Sequence, residues 1–122
     1  MARFAVLIHD YPVLHWDLML EKEATLRTWR LARPPAETGP IDAEPLPDHR
    51  LAYLDYEGPV SGDRGNVRRF DRGDYLSREE TVDRVVVELN GAVLRGEAVV
   101  ERHGPTGTWM YSFTPRDQRQ AQ

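Results

Sequence analysis

The chain has 122 residues, of which 40% are hydrophobic and 30% charged, so it is too apolar to be disordered and large enough for one domain with its own core. It contains no cysteine, which excludes disulfides and thiolate metal ligands. Its net charge of −4 argues against a protein that coats nucleic acid regardless of sequence, because such binding depends on neutralising phosphates. No signal-peptide pattern or membrane-spanning apolar run is present, and we expect a cytoplasmic protein.

Three short strands are predicted at the start of the chain, and they form a meander. The first covers Phe4 to Ile8 and ends at His9, before a turn signal at 10–12. The second covers His15 to Glu21, where polar and apolar side chains alternate, and the third covers Thr25 to Leu31.

The middle of the chain is predicted to be less regular. Arg33 to Asp48 contains five prolines and no hydrophobic period, which favours a long surface loop. His49 to Glu57 is predicted as a strand, and alternation would place His49, Tyr53 and Asp55 on one face.

The second half of the chain is predicted to be almost entirely strands. Ser77 to Glu80 matches a capping box, so one or two helical turns are expected there. Asn90-Gly91 is a strong hairpin signal. The predicted strands are Asn66 to Phe70, Arg84 to Leu89, Ala92 to Glu101 and Thr108 to Phe113.

About seven or eight strands and hardly any helix indicate an all-β fold. A compact antiparallel β-barrel removes exposed sheet edges most simply, and a sandwich is the alternative. We expect residues 1–115 to form this one domain, followed by a frayed polar tail at 116–122. A barrel with few free edges gives no reason to expect more than a monomer.

Two histidines and a carboxylate lie close together in the sequence, at His9, His15 and Asp17. His15 and Asp17 share one face of a strand, while Trp16 and Leu18 share the other. Two imidazoles and one carboxylate can bind a divalent ion and leave positions open for water and substrate. The alternative is that His15 and Asp17 form a solvated ion pair on the sheet surface.

Two further sets of residues could take part in chemistry. His49 and Tyr53 on one face could donate to a phosphoryl oxygen, although a half-buried tyrosine with a polar rim fits the same pattern. The arginines between 64 and 72 could follow a nucleic-acid backbone, or they could be a solvated surface in an arginine-rich chain.

Five segments resemble the 3′-phosphoesterase domain attached to bacterial DNA ligase D, which also occurs as a stand-alone protein in bacteria and archaea. Together they extend the resemblance over about residues 3–113. They are His9 to Glu21, Leu26 to Arg33, Asp48 to Gly58, Leu94 to Glu97 and Thr108 to Met110.

The resemblance implies a compact β-barrel that removes 3′-phosphates and 3′-ribonucleosides from DNA or RNA ends before repair ligation. It implies Mn²⁺ as the cofactor, with Zn²⁺ as an alternative, and His9, His15 and Asp17 as its ligands. It also implies His49 and Tyr53 as the residues that contact the scissile phosphate. The expected partners are nucleic-acid 3′ ends and a separate DNA ligase.

The chain departs from the family pattern at residues that would bind phosphate. The family has arginines at the positions of Met19 and, by an ungapped count, Ile41. It has an acidic residue at the position of Pro47 and a lysine at the position of Arg33. Arg30, Arg33 or Arg50 could take the place of the lost arginines, and we expect Arg33, His49 and Arg50 to bind phosphate. The departures leave open a second hypothesis, a barrel that binds metal or nucleic-acid ends without turnover as a repair accessory.

Overall fold

The computed structural model describes residues 1–117, which form one antiparallel sheet in the order β1-β2-β3-β4-β9-β8-β7-β6-β5. A further pairing of β1 with β6 closes eight of these strands into a barrel. The prediction of an antiparallel barrel is therefore confirmed. The strands are β1 (Arg3–His9), β2 (His15–Lys22), β3 (Thr25–Leu31), β4 (Ile41–Arg50), β5 (Gly58–Pro59), β6 (Asn66–Glu80), β7 (Arg84–Gly91), β8 (Arg95–His103) and β9 (Thr108–Pro115).

The interior of the barrel holds the main hydrophobic core. Alternate side chains of each strand point inward, such as Phe4 and Val6 of β1 and Leu18 and Leu20 of β2. The Tyr111 hydroxyl is buried there and donates a hydrogen bond to the Pro35 carbonyl over 2.8 Å. Burial raises the pKa of this hydroxyl, so it remains a neutral donor.

A second apolar cluster lies on the outer face of β1, β2 and β3. It contains the outward residues Ala5, Leu7, Met19 and Leu26. A 3₁₀ helix (Leu51–Leu54) and the segment that follows it cover this face. The buried side chain of Leu54 belongs to the cluster. The outer face at this end of the sheet is therefore partly protected from water.

The predicted loop from Arg33 to Asp48 is wrong over its second half, because β4 begins at Ile41. Ile41 and Ala43 are buried in the core and pair with β9, and Ala43 also pairs with Leu31 of β3. Beyond Ala43, β3 is the one neighbour hydrogen-bonded to β4 within residues 1–117. Pro45 and Pro47 are tolerated in that part, because an edge strand has no need of every backbone donor.

The predicted strand from His49 to Glu57 is also wrong. β4 ends at Arg50, and the chain turns into the 3₁₀ helix so that Leu54 can bury itself against β1 and β2. Asp55 accepts hydrogen bonds from Arg3 and Arg72 over 2.7 and 2.8 Å. These bonds attach the 3₁₀ segment to β1 and β6.

No helix forms at Ser77 to Glu80, contrary to the capping-box prediction. β6 continues through this segment and pairs with β7, with a bulge between Ser77 and Glu79. Glu79 and Glu80 instead form ion pairs, with Arg84 and with Lys22 of other strands. Cross-strand pairing therefore overrides the local capping signal.

The hairpin predicted at Asn90-Gly91 exists, but its turn lies later, between Gly91 and Arg95. The buried carboxylate of Asp71 accepts hydrogen bonds from the amides of Ala92 and Leu94. A Cβ at Gly91 would lie 2.1 Å from Asp71 Oδ2, so glycine is required for this contact.

The predicted C-terminal tail lies partly outside the described residues, at 118–122. Arg116 is not frayed, because its guanidinium binds Glu88 over 3.0 Å and Asn90 over 2.7 Å. None of the helical segments in residues 1–117 has the length and hydropathy needed to cross a membrane.

Candidate metal centre

The structure brings His9, His15 and Asp17 together at the outer face of β1 and β2. His9 and His15 are cross-strand partners, and their ring centroids lie 4.8 Å apart. Asp17 Oδ2 lies 3.5 Å from His9 Nδ1, and Asp17 Oδ1 lies 3.1 Å from His15 Nε2. One ligand atom from each residue falls within 4.8 Å of the others, which is a spacing that one ion can span.

Backbone carbonyls orient both imidazoles. His15 Nδ1 lies 2.8 Å from the Val13 oxygen, and His9 Nε2 lies 2.9 Å from the Arg64 oxygen. A carbonyl can only accept, so each of these nitrogens carries the proton. In the neutral form of each ring, the opposite nitrogen presents a lone pair toward Asp17, which is how metal-binding histidines are usually held.

The buried atoms of the site fit a cation. His15 is 2% exposed and Asp17 is 3% exposed, which rules out the alternative of a solvated surface ion pair. Although His15 Nε2 and Asp17 Oδ1 face each other, neither has an aligned hydrogen-bond partner within the described chain. A bound divalent ion would satisfy both atoms, and imidazole with carboxylate suits Mn²⁺, Zn²⁺ or Fe²⁺.

The electrostatic surroundings of His15 reflect its carboxylate neighbour. Burial works to lower the pKa of this imidazole, and Arg30 acts in the same direction. The Asp17 carboxylate and the Val13 carbonyl outweigh both, so the pKa of His15 lies above its ordinary value of 6.5. Burial and the Asp17 carboxylate therefore act on the pKa of His15 in opposite directions, and the effect of the carboxylate is the larger one when the Val13 carbonyl is added to it.

A cavity of about 400 Å³ opens beside the three residues and contains His9 and Asp17 in its lining. His49, Arg50 and Tyr53 line the same cavity. The His49 and Tyr53 rings meet edge to face at 5.8 Å, so these two residues come together as predicted even though the strand between them was wrong.

His49 is held so that one nitrogen is available to a ligand. Its Nδ1 donates a hydrogen bond to the Pro47 carbonyl over 3.0 Å, so Nε2 is the nitrogen that can contact a ligand. The Arg50 guanidinium carbon lies 5.9 Å from the centre of the Tyr53 ring. Imidazole, phenol and guanidinium thus share one wall of the cavity.

Arg64 is a residue that the sequence did not single out for the site. It lines the cavity, and its carbonyl accepts the proton of His9. The turn that carries it depends on Gly65, which has a φ of +74° and whose Cβ would lie 2.2 Å from Asp10 Oδ1. Asp10 in turn accepts from the Asn66 amide over 2.8 Å. The glycine-rich turn at 61–65 was the available signal.

Three positions where the chain departs from the family lie away from the cavity. Met19 has no exposed surface and packs in the outer apolar cluster, while Ile41 is buried inside the barrel. Arg33 donates to the Pro40 carbonyl over 2.6 Å and pairs with Glu37, and it does not line the cavity that holds His49. The role of Arg33 in binding phosphate therefore stays a prediction that the geometry does not support.

Comparison with known proteins decides the family. The family model of the DNA Ligase D 3′-phosphoesterase domain matches residues 8–102, which include every residue that lines the cavity except Leu7. The chain belongs to this family. It is also similar to the multifunctional non-homologous end joining protein LigD of Pseudomonas aeruginosa, with 33% identity over 85 residues that cover 66% of this chain. The matched segment spans about a tenth of that relative's length.

Proposed function

We propose that this phosphoesterase-family barrel is a Mn²⁺-dependent 3′-phosphoesterase that removes a 3′-phosphate or 3′-ribonucleoside from nucleic-acid ends in DNA repair. The observation that carries the proposal is the group of His9 with the buried His15 and Asp17, whose lone pairs converge beside a cavity that contains His49. When bound there, a divalent ion would supply Lewis acidity and lower the pKa of water.

The side chains around the cavity divide the remaining work. His49 Nε2 would donate to or stabilise an oxygen of the scissile phosphate, and Tyr53 would help to position that group. The Val13 and Arg64 carbonyls hold the histidine ligands in fixed orientations, so little reorganisation is needed at the moment of reaction.

Positive charge for the substrate would come from Arg50 and Arg64. Both line the cavity, and neither forms an ion pair with a carboxylate of residues 1–117. The Arg64 guanidinium donates to the Ser61 carbonyl over 2.6 Å and to its hydroxyl over 3.2 Å, which leaves further N–H groups for a ligand. A guanidinium suits phosphate oxygens well, because the planar fork can donate to two of them. These two arginines would replace the ones that the family has at the positions of Met19 and Ile41.

A comparison of variants tests the proposal. Purified protein is incubated with Mn²⁺ and a primer–template that ends in a 3′-phosphate or one 3′-ribonucleotide, and Mn²⁺ binding is titrated separately. We expect His9→Ala to lose both Mn²⁺ binding and turnover. His49→Ala should keep Mn²⁺ binding and lose turnover by about 100-fold or more. The exposed His103, outside the cavity, provides a matched control in His103→Ala.

A second candidate function, a barrel that binds metal or nucleic-acid ends without turnover, is favoured by one observation. Met19 and Ile41 are buried and do not line the cavity, so the two arginines that the family pattern has at these positions have no counterpart there. Mn²⁺ binding and end binding without any turnover of either substrate would overturn the first candidate and support this accessory role.

A further inference from the structure

A second cavity, of about 490 Å³, lies on the other side of the candidate metal centre. His15 forms part of its wall, whereas His9 and Asp17 line the first cavity. Asp17 and Arg30 are cross-strand neighbours, and Arg30 also lines the second cavity. The three candidate metal ligands therefore stand between two cavities, and a ligand over them could reach into both.

The second cavity exists because two strands separate. β4 and β9 pair only from Ile41 to Ala43, opposite Tyr111 to Trp109. Beyond that point β4 stays with β3, while the chain before β9 turns away at 104–107. The gap is lined by both diverging segments and by the loop before β2, which contributes Leu14.

The chemistry of the second cavity differs from that of the first. Its lining includes Trp109 together with the apolar Val13 and Leu14, which are exposed by 67% and 56%. Asp42 and Glu44 add carboxylates, and Glu44 lies 3.5 Å from the Arg30 guanidinium. This lining is unfavourable for a phosphate and favourable for an uncharged ring with hydrogen-bond donors.

The first cavity is richer in basic groups. Its lining contains Arg50 and Arg64, which have no carboxylate partner in the described chain, and the histidines His9 and His49, beside the carboxylates Asp17 and Asp48. A nucleotide consists of an anionic phosphate joined to an uncharged base and sugar. Its two parts match the two cavities, with the candidate metal ligands at the junction.

We propose that the second cavity binds the nucleoside of the 3′-terminal nucleotide whose phosphate lies over the candidate metal centre. The inference rests on the proposed phosphoesterase function and adds a site that reads the end nucleotide. Trp109 and Leu14 provide apolar contact for the base, and Asp42 and Glu44 accept hydrogen bonds from its amino groups or from the sugar hydroxyls.

Titrations of the metal-free protein with adenosine 3′-monophosphate and with inorganic phosphate test this site. We expect the nucleotide to bind at least about tenfold more tightly than phosphate, which is within the range for one base against an aromatic side chain. In amide NMR spectra, the nucleotide should shift signals of Leu14 and Thr108, whereas phosphate alone should shift those near Arg50.

Variants separate a specific site from a general apolar effect. Leu14→Ala and Trp109→Leu should each reduce nucleotide affinity several-fold and leave phosphate affinity unchanged. Leu76→Ala is the matched control, because Leu76 is a leucine exposed by 46% that lines neither cavity. Leu14→Ala keeps the test decisive if Trp109→Leu is unstable, since Leu14 lies in an exposed loop.

Equal affinities for phosphate and nucleotide, or shifts confined to the surroundings of Arg50, would overturn the nucleoside site and leave the proposed phosphoesterase intact. A nucleotide advantage that depends on Leu14, combined with no Mn²⁺-dependent turnover, would support the nucleoside site and overturn the phosphoesterase. Failure of nucleotide and phosphate alike to bind would overturn the nucleoside site.

Discussion

At the scale of single residues, the candidate metal centre depends on backbone atoms whose positions cannot be predicted from residue types. His9, His15 and Asp17 could be selected from strand alternation and from resemblance to the family. Their orientation could not, because the Val13 and Arg64 carbonyls that fix it are backbone atoms, present in every residue type. Arg64 is 55 residues from His9 along the chain, and only the closed barrel brings them together.

Because Met19 is buried, the arginine that the family has at this position cannot be restored without a loss of stability. Its neighbours across the strands are Ala5 and Thr28, and it has no exposed surface. We expect Met19→Arg, which recreates the family residue, to reduce the free energy of unfolding by at least about 3 kcal/mol, because a guanidinium would be buried among apolar side chains.

Urea unfolding measures this effect, with Met19→Leu as the control. That substitution keeps the volume and should cost less than about 1.5 kcal/mol. If Met19→Arg had the stability of the natural chain and also increased turnover, the side chain at position 19 would reach the cavity, contrary to its packing here.

At the scale of elements, the 3₁₀ segment is the clearest difference between sequence and structure. The strand predicted for His49 to Glu57 places Asp55 beside Tyr53, but the turn sends Asp55 to Arg3 and Arg72. Alternation could not reveal this, since Leu51–Leu54 contains apolar residues that fit either structure. The cavity wall formed by His49 and Tyr53 depends on that turn.

Asp55 gives the 3₁₀ segment a dependence on pH. The hydrogen bond and charge of Arg3, with the charge of Arg72, hold the pKa of Asp55 below its ordinary value of 3.8. A carboxylate whose pKa is lower in the folded than in the unfolded chain stabilises the fold at pH values above its pKa in the unfolded chain. This contribution disappears as the pH falls through its pKa in the folded chain. We therefore expect Asp55→Asn to destabilise the protein near neutral pH and to have no effect in strong acid.

Thermal unfolding of both proteins between about pH 2 and about pH 6 checks this expectation. The difference in melting temperature should stay constant above about pH 4 and shrink below it. Asp63→Asn is the control, because Asp63 is exposed and forms no ion pair within residues 1–117. A difference that is the same at every pH would contradict a role for the charge.

At the scale of the whole molecule, the closed barrel and strands such as β3 (Thr25–Leu31) were predictable, whereas β4 and the 3₁₀ segment after it were not. The number of short strands and turn signals in the sequence indicates a barrel. The proline-rich stretch concealed β4, because the edge position of Pro45 and Pro47 depends on where β9 ends, which no local pattern records. The pairing of strands that are distant in sequence thus determines the local structure of β4.

The distribution of charge over the molecule predicts a weak dependence of end binding on salt. The net charge is −4, and Arg50 and Arg64 are the two arginines that line the cavity. Two phosphate contacts give a slope of about −2 for the logarithm of the affinity for duplex ends against the logarithm of the salt concentration.

Filter binding or anisotropy over a range of salt measures this slope. Arg50→Gln should reduce its magnitude by about 1, whereas Arg33→Gln should leave it unchanged, because Arg33 is engaged with Pro40 and Glu37. A much steeper slope would mean that additional basic residues outside the cavity follow the nucleic acid.

The long-range hydrogen bond from His9 to the Arg64 carbonyl links metal binding to complete folding. A chain in which β1 has met β2 but not β6 would have its three ligands in sequence, yet one imidazole would still rotate freely. Such a chain would hold an ion poorly, so added Mn²⁺ would stabilise the closed barrel selectively and raise its melting temperature with concentration. Under the proposed function, partly folded chains emerging during synthesis would then be inactive, and nucleic acid would meet a competent site only after the barrel had closed.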